Sequence, residues 1–218
     1  MNKDQRNPGA IKYFDRRIDD FDSIYKSDRG SLRAWLDKTL RASVRERFEL
    51  AFDLLGDISN KSVLDIGCGT GRYMFEAVRR GAGEVIGLDA AAGAIEAARK
   101  MARELGYDKR VEFIEGDFMD LQLKRRYDII FAVGYFDYIL SPQPHLEKML
   151  SICDNFLFAS FPRLWHPMTP VRKLRLALNG CPVRFYSQRR INGMMRRADF
   201  DKYEIRQVSR DFALIAKK

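Results

Sequence analysis

Cysteine is scarce in this chain of 218 residues, and the few that occur are not arranged in pairs. Cys68, Cys153 and Cys181 are odd in number, lie far apart and form no C-x-x-C motif. Because disulfide frameworks and structural zinc sites need paired cysteines, this pattern indicates neither. We expect reduced intracellular thiols and no bound metal.

Long apolar runs are absent as well. No stretch of about 18 or more consecutive apolar residues occurs, as a membrane-spanning helix requires. The opening residues, MNKDQRNPGAIK, contain no apolar segment of the kind found in signal peptides. We therefore expect a cytoplasmic protein with neither a cleaved signal peptide nor a spanning helix.

Positive charge is present in excess, but only in one region. The net charge is +9, yet residues 1–162 hold 25 Lys and Arg against 26 Asp and Glu. Residues 163–210 hold 12 basic residues against three acidic ones. A regional field of this kind attracts an anionic substrate, an acidic membrane surface or a nucleic acid. The alternative is a set of solvated helix faces.

The periodicity of apolar residues predicts an α/β fold. Apolar residues at steps of three and four predict an amphipathic helix over residues 31–55, with Ser31 as its N-cap and Gly56 at its end. From residue 62, short strands alternate with helices, which indicates parallel βαβ units and a final antiparallel hairpin. The predicted helices are 71–80, 92–105, one after Pro144 and 187–198; the predicted strands are SVLDI, EVIGLD, VEFIEGD, YDIIFAV, NFLFASF, DKYEIRQVSR and DFALIAKK.

Three glycines follow the first predicted strand, in SVLDIGCGTGRY. A dinucleotide fingerprint, G-x-G-x-x-G, needs a third glycine where this chain has Arg72. The spacing is instead G-x-G-x-G, preceded by Asp65 at the end of the strand. This motif resembles the first motif of the class I S-adenosylmethionine-dependent methyltransferases, D/E-x-G-x-G-x-G.

The resemblance implies a Rossmann-like fold with a seven-stranded, mostly parallel sheet, an antiparallel last strand, N-terminal helices and a cap inserted after strand 5. It divides a single domain, residues 1–218, into an N-terminal helical lid (1–58), a cofactor-binding core (59–161), the cap (162–186) and a C-terminal helix with a β-hairpin (187–218). The implied cofactor is S-adenosyl-L-methionine.

The resemblance also implies the cofactor contacts. Asp89 would accept hydrogen bonds from the ribose hydroxyls, Asp117 and Phe118 would contact the adenine, and the turn at Gly134 would face the methyl group. An aspartate or a glycine after a strand is by itself an ordinary turn residue, but four such edges in order favour a binding site. The implied contacts are Asp65, Gly67, Cys68, Gly69, Gly71, Asp89, Ala90, Asp117, Phe118 and Gly134.

The N-terminal stretch YFDRRIDDFDSIY is similar to a segment that folds over the cofactor in small-molecule members of the family. By that resemblance, Tyr13 and Tyr25 would approach the methionine carboxylate. The alternative is an amphipathic helix whose aromatic side chains pack against the protein.

Catalytic residues are harder to predict, because methyl transfer from a sulfonium depends mainly on alignment. Tyr135, after the fourth strand, would line the methyl-transfer channel, or else pack beneath the next helix. His166 is the candidate general base, if one is used. For His145, at the start of a helix, we expect a helix-cap or surface role. The exit of the fourth strand lacks the N/D-P-P-Y/F motif of many enzymes that methylate nitrogen.

The cap combines an apolar face with guanidinium groups, which fits an amphipathic acid as the methyl acceptor. The candidate acceptor-binding residues are Arg163, Trp165, Arg172 and Arg175. Scattered residues of the cap are also similar to magnesium-protoporphyrin O-methyltransferases, which methylate a propionate. We therefore predict O-methylation of a small anionic, partly hydrophobic metabolite.

Two alternatives to a small-molecule enzyme stay open at this stage. One is an RNA methyltransferase, although the basic region lacks a recognisable RNA-binding module. The other is a non-catalytic cofactor-binding protein that contacts a membrane surface through residues 164–178. The sequence does not predict the oligomeric state.

Overall fold

The computed structural model describes residues 44–166 and 183–218, together with positions 9, 169, 170, 173, 177 and 181. The helix predicted to start at Ser31 is described from residue 44 onward and ends at residue 53, three residues before Gly56. Its predicted N-cap, Tyr13, Tyr25, Arg172 and Arg175 lie outside the described residues.

The described elements form one seven-stranded sheet with helices. The strand order is β3-β2-β1-β4-β5-β7-β6, in which β7 runs antiparallel to both β5 and β6 and the other pairs are parallel. The predicted α/β fold class is confirmed. The elements are α1 (44–53), β1 (Ser62–Ile66), α2 (Arg72–Arg79), β2 (Glu84–Asp89), α3 (Ala92–Glu104), β3 (Val111–Glu115), β4 (Tyr127–Ala132), α4 (Pro142–Ile152), β5 (Cys153–Pro162), α5 (Gln188–Arg197), β6 (Tyr203–Val208) and β7 (Asp211–Lys217).

The central strands are buried on both faces, which is why they read as continuous apolar runs in the sequence. One face packs against side chains of α4 and α5, such as Leu146 and Met194. The other packs against α1, α2 and α3, for example through Phe52 and Met74. Between β1 and β4 the strand order reverses, and open α/β sheets bind ligands at the carboxyl ends of such strands.

Two predicted boundaries shift in the structure. Helix α4 begins at Pro142 and not after Pro144, because proline lacks the N–H that the first helical turn leaves unpaired. Strand β5 begins at Cys153, before the predicted stretch NFLFASF. It is long because its residues pair with β4 on one side and with β7 on the other.

The two ends of the cap meet at the end of β5. Arg163 forms an isolated parallel bridge with Tyr186. The amide of Leu164 donates to the carbonyl of Tyr186 at 2.9 Å. The amide of Tyr186 donates to the carbonyl of Pro162 at 2.7 Å. The residues on either side of the segment predicted to be a cap are therefore hydrogen-bonded to each other at the end of β5. None of the helices in the described part of the chain is both long and apolar enough to span a bilayer.

Candidate active site

The glycine loop after β1 is tied to the end of β2. The amide of Gly69 donates to Asp89 Oδ2 at 2.9 Å, and the amide of Ala91 donates to Asp89 Oδ1 at 2.9 Å. The amides of Gly67 and Cys68 both donate to the carbonyl of Leu88, at 2.7 and 3.0 Å. Asp89, which is half-buried, thus holds two backbone segments at the edge of the sheet.

The glycines of this loop are required for different reasons. All three have positive φ, at 73° for Gly67, 54° for Gly69 and 87° for Gly71. A Cβ at position 71 would lie 2.7 Å from Phe75 Cζ, so a side chain of the protein itself excludes any larger residue there. A Cβ at position 69 would have no atom within 4 Å. The space in front of Gly69 is open, as a ligand that approaches the main chain requires.

Asp65, the acidic residue of β1, is 2% exposed. Its Oδ2 has no hydrogen-bond partner among the residues that the structure describes. Burial, and then the nearby charge of Asp89, raises its pKa to about 8. A buried carboxyl that lacks a partner gains one when a cationic group binds beside it, so this site fits a ligand with a positive charge.

The segment after β3 contains a half-buried carboxylate, Asp117, and a buried aromatic side chain, Phe118. Asp117 is half-buried and its Oδ1 accepts a hydrogen bond from the amide of Met119 at 2.8 Å. The Phe118 side chain is 1% exposed and packs into the core, with Lys148 Nζ 4.6 Å from its ring centroid. The resemblance implies that Phe118 flanks the adenine; without a ligand its ring lies in the core, close to Lys148.

The turn after β4 brings Gly134 and Tyr135 to the same edge. Gly134 has φ 75°, and its amide donates to Ser160 Oγ at 2.8 Å. A Cβ at position 67 would lie 3.0 Å from Tyr135 Cδ2, so the tyrosine ring lies directly against the glycine loop. The Tyr135 hydroxyl lies 2.7 Å from Nδ1 of His145.

The expected surface or helix-cap role of His145 is wrong. Its side chain is 2% exposed, and burial lowers its pKa to about 4, so that the imidazole is neutral at neutral pH. The helical spacing of residues around His145 could have predicted its burial. His145 and Met149 are four residues apart, and Leu146 lies three residues before Met149, which places all three on the buried face of α4.

His166 and Arg163 lie at the end of β5. The pKa of His166 is lowered, first by burial and then by the charges of Arg163 and Arg210, which favours the neutral imidazole that a general base needs. Arg163 Nη1 donates to the carbonyl of Ser209 at 2.9 Å. Trp165 is 81% exposed.

The described site thus has two parts. The first brings together Asp65, the three glycines, Asp89, Asp117, Gly134 and Tyr135 at the carboxyl edge of β1 to β4. The second, at the end of β5, holds Arg163, Trp165 and His166. The half-buried Ala90 lies beside Asp89, and the buried Cys68 lies within the glycine loop.

A seven-stranded sheet of this order, with a glycine loop after β1 and carboxylates after β2 and β3, is the fold of the class I S-adenosylmethionine-dependent methyltransferases. Residues 57–159 match the family model described as a methyltransferase domain. This segment of the chain is therefore a methyltransferase domain, as the sequence motif predicted. S-adenosylmethionine is the cofactor of that family, which confirms the expected cofactor.

Solved structures of similar fold include the magnesium protoporphyrin IX methyltransferase of Synechocystis PCC 6803. With S-adenosylmethionine bound, it has a TM-score of 0.73 and 18% identity, and the match covers 100% of both chains. A methyltransferase of Thermotoga maritima has a TM-score of 0.69 and 16% identity, covering 96% of this chain and 99% of that one. At these identities the likeness establishes the fold.

Curated relatives include the tRNA U34 carboxymethyltransferase of Histophilus somni (strain 2336). It is 31% identical over 106 residues, which are 47% of this chain and 32% of the relative. The enzyme of the same name from Actinobacillus pleuropneumoniae is 28% identical over 95 residues, 44% of this chain and 30% of the relative. The chain therefore matches about a third of the length of these relatives.

Proposed function

We propose that this protein transfers a methyl group from S-adenosylmethionine to a small, anionic and partly hydrophobic metabolite, with oxygen favoured over nitrogen as the acceptor atom. One observation carries the proposal. A buried Asp65 oxygen that has no hydrogen-bond partner among the described residues, the carboxylate of Asp89 and an open glycine loop converge at the carboxyl edge of β1 and β2. From the sequence we also propose that the protein is located in the cytoplasm.

In this proposal the residues at the strand edge hold the cofactor. Asp89, which holds the glycine loop and the start of α3 in place, accepts hydrogen bonds from the ribose hydroxyls. Asp117 accepts from the adenine amino group, and Asp65 faces the cationic end of the ligand. The backbone of the glycine loop lies against the nucleoside, and Cys68, Ala90, Gly134 and the backbone of Phe118 complete the surroundings of the site.

The cofactor supplies a methyl group that is already activated by the sulfonium, so the protein has to align the acceptor with it. Alignment alone is worth about 7–11 kcal/mol of the barrier in well-oriented reactions. His166, neutral at neutral pH, is the group we assign to accept a proton from an acceptor hydroxyl. Arg163 and the exposed Trp165 are the described residues that we assign to the acceptor's acid group and apolar body.

Two other functions have support from single observations. The 31% identity to a tRNA-modifying enzyme favours RNA as the acceptor, although less than half of this chain is matched. The exposure of Leu164 and Trp165, at 42% and 81%, favours contact with a membrane surface beside the basic region. We prefer the metabolite because guanidinium groups and apolar side chains occur together in the cap sequence.

Titration calorimetry with S-adenosylhomocysteine tests the cofactor assignment. Asp89→Ala is expected to weaken binding at least tenfold, about 1.4 kcal/mol, because it removes the proposed ribose contact and frees the Gly69 amide. Asp89→Asn keeps one acceptor oxygen and is expected to bind with intermediate affinity. Asp108→Asn, in an exposed loop, is the matched control. Equal affinity of Asp89→Ala and the unchanged protein would remove Asp89 from the site.

A further inference from the structure

Tyr135 lies between three separate elements of the site. Its ring lies against the glycine loop at Gly67. It meets the Phe118 ring edge-on, with centroids 6.4 Å apart and planes at 89°. Its hydroxyl lies 2.7 Å from His145 Nδ1, which belongs to α4. In the proposed function the glycine loop lies against the nucleoside and the exit of β3 carries the adenine contact, so this ring lies between two segments of the proposed cofactor site.

His145 is the group that fixes the hydroxyl end of Tyr135. Its Nδ1 contacts the tyrosine, but its Nε2 is buried and has no hydrogen-bond partner among the described residues. A buried polar atom without a partner costs about 1–3 kcal/mol. The neighbours of His145 on α4, Leu146 and Met149, are apolar and fully buried, so a leucine at position 145 would suit the core without this cost.

Burial is the main reason that both side chains of the pair are neutral. Burial raises the pKa of Tyr135, and the carboxylates of Asp117 and Asp89 raise it further. Burial lowers the pKa of His145, and Lys148 adds to this effect while Asp117 opposes it. With the pKa of the phenol raised and that of the imidazole lowered, neither group changes its protonation state near neutral pH. The pair is therefore suited to hold a position and not to act as an acid or a base.

We propose that His145 is a positioning residue for the cofactor site: through its hydrogen bond it holds the Tyr135 ring as a spacer between the glycine loop and the exit of β3. The inference depends on the proposed function, because the spacing matters only if adenosine binds there. It also changes the role expected for Tyr135. The ring supports the cofactor site, and the hydroxyl, held by α4, takes no proton from the acceptor.

The affinity for S-adenosylhomocysteine, measured by calorimetry, tests this inference without a known acceptor. His145→Leu and Tyr135→Phe each remove the hydrogen bond and are expected to weaken binding about tenfold. The double variant His145→Leu/Tyr135→Phe is expected to bind no more weakly than either single variant, because all three lack the same bond. His145→Gln, whose side-chain oxygen accepts from the phenol, is expected to recover most of the affinity.

Glu147→Gln, on the exposed side of α4, is the matched control and is expected to bind as the unchanged protein does. Melting temperatures without ligand identify any variant that fails to fold. If His145→Leu changes the melting temperature but not the affinity, the residue serves folding alone and the inference is wrong. Additive losses in the double variant would also overturn it. If the unchanged protein itself fails to bind S-adenosylhomocysteine, the proposed function fails as well.

Discussion

A carboxyl group buried at the end of β1 is protonated at neutral pH, because burial and the nearby charge of Asp89 both disfavour its ionised form. Burial raises the pKa of Asp65 to about 8, and the carboxylate of Asp89 contributes to the shift. In the unfolded chain the same group has an ordinary pKa near 4. Folding therefore takes up a proton at every pH between these two values, which makes stability depend on pH.

The substitution Asp65→Asn is expected to remove this dependence. Between about pH 4 and pH 8 the folded chain holds one more proton than the unfolded chain, so the free energy of unfolding falls as pH rises, by up to about 1.4 kcal/mol per pH unit. Asparagine resembles the protonated acid and does not titrate. Without cofactor, urea unfolding at pH 5, 6, 7 and 8 should show a flatter profile and greater stability at pH 8 for the variant. Parallel profiles would mean that Asp65 is ionised in the folded protein.

The sequence predicts where the site residues lie along the strands better than it predicts the direction of their side chains. The positions of Asp65, Asp89 and Asp117 at strand ends follow from the local pattern, since carboxyl ends of parallel strands share one edge. The inward direction of Phe118 does not follow from it, because Lys148, 30 residues later, covers the ring. The local pattern also does not show that Phe75 of the next helix leaves no space for a side chain at Gly71.

At the scale of elements, one carboxylate joins three strands at the edge opposite the site. Asp128, near the start of β4, accepts hydrogen bonds from the amide and the hydroxyl of Ser62 on β1, at 2.9 and 2.8 Å. Its other oxygen accepts from Asn155 Nδ2 on β5 at 2.8 Å. These bonds, with the amide of Ser62 first, lower the pKa of Asp128, so the ionised form stabilises the fold.

The substitution Asp128→Ala is expected to reduce the free energy of unfolding at pH 7 by about 1–3 kcal/mol, because two strands lose their shared acceptor. The folded pKa is lowered, so this contribution is present above the unfolded pKa near 4 and disappears as pH falls below it. Chemical unfolding at pH 7 and pH 3 measures the difference. Affinity for S-adenosylhomocysteine should not change, since Asp128 lies at the amino ends of the strands. A loss of affinity as large as that expected for Asp89→Ala would contradict this separation.

The order of elements along the chain is predictable, but their order in space is less so. Alternating strands and helices predict the parallel part of the sheet because crossovers between parallel strands have one hand. The insertion of β7 between β5 and β6 has no local signal. It depends on long-range pairing, from Phe156 with Lys217 to Pro162 with Asp211, that only the folded chain brings about.

At the scale of the whole molecule, a buried ion pair joins α1 to β7, and a hydrogen bond links it to the turn after β4. Arg47 Nη1 on α1 lies 2.9 Å from Asp211 Oδ2 at the start of β7 and 3.4 Å from Ser160 Oγ. Ser160 Oγ in turn accepts from the amide of Gly134. The position of α1 is thus coupled to the turn that faces the proposed methyl-transfer point.

The excess of positive charge in residues 163–210 can be used to test whether the methyl acceptor is a metabolite or RNA. If the charge serves a small anion, tRNA binds only through its phosphates, with a Kd weaker than about 1 μM at physiological salt and an affinity that falls steeply as salt rises. The double variant Arg189→Glu/Arg196→Glu, on the exposed side of α5, should weaken tRNA binding and leave the affinity for S-adenosylhomocysteine unchanged. Filter binding from 50 to 300 mM salt, with labelled methyl transfer to tRNA measured alongside, gives both answers. Tight binding that resists salt, or label incorporated into tRNA, would replace the metabolite with RNA as the acceptor.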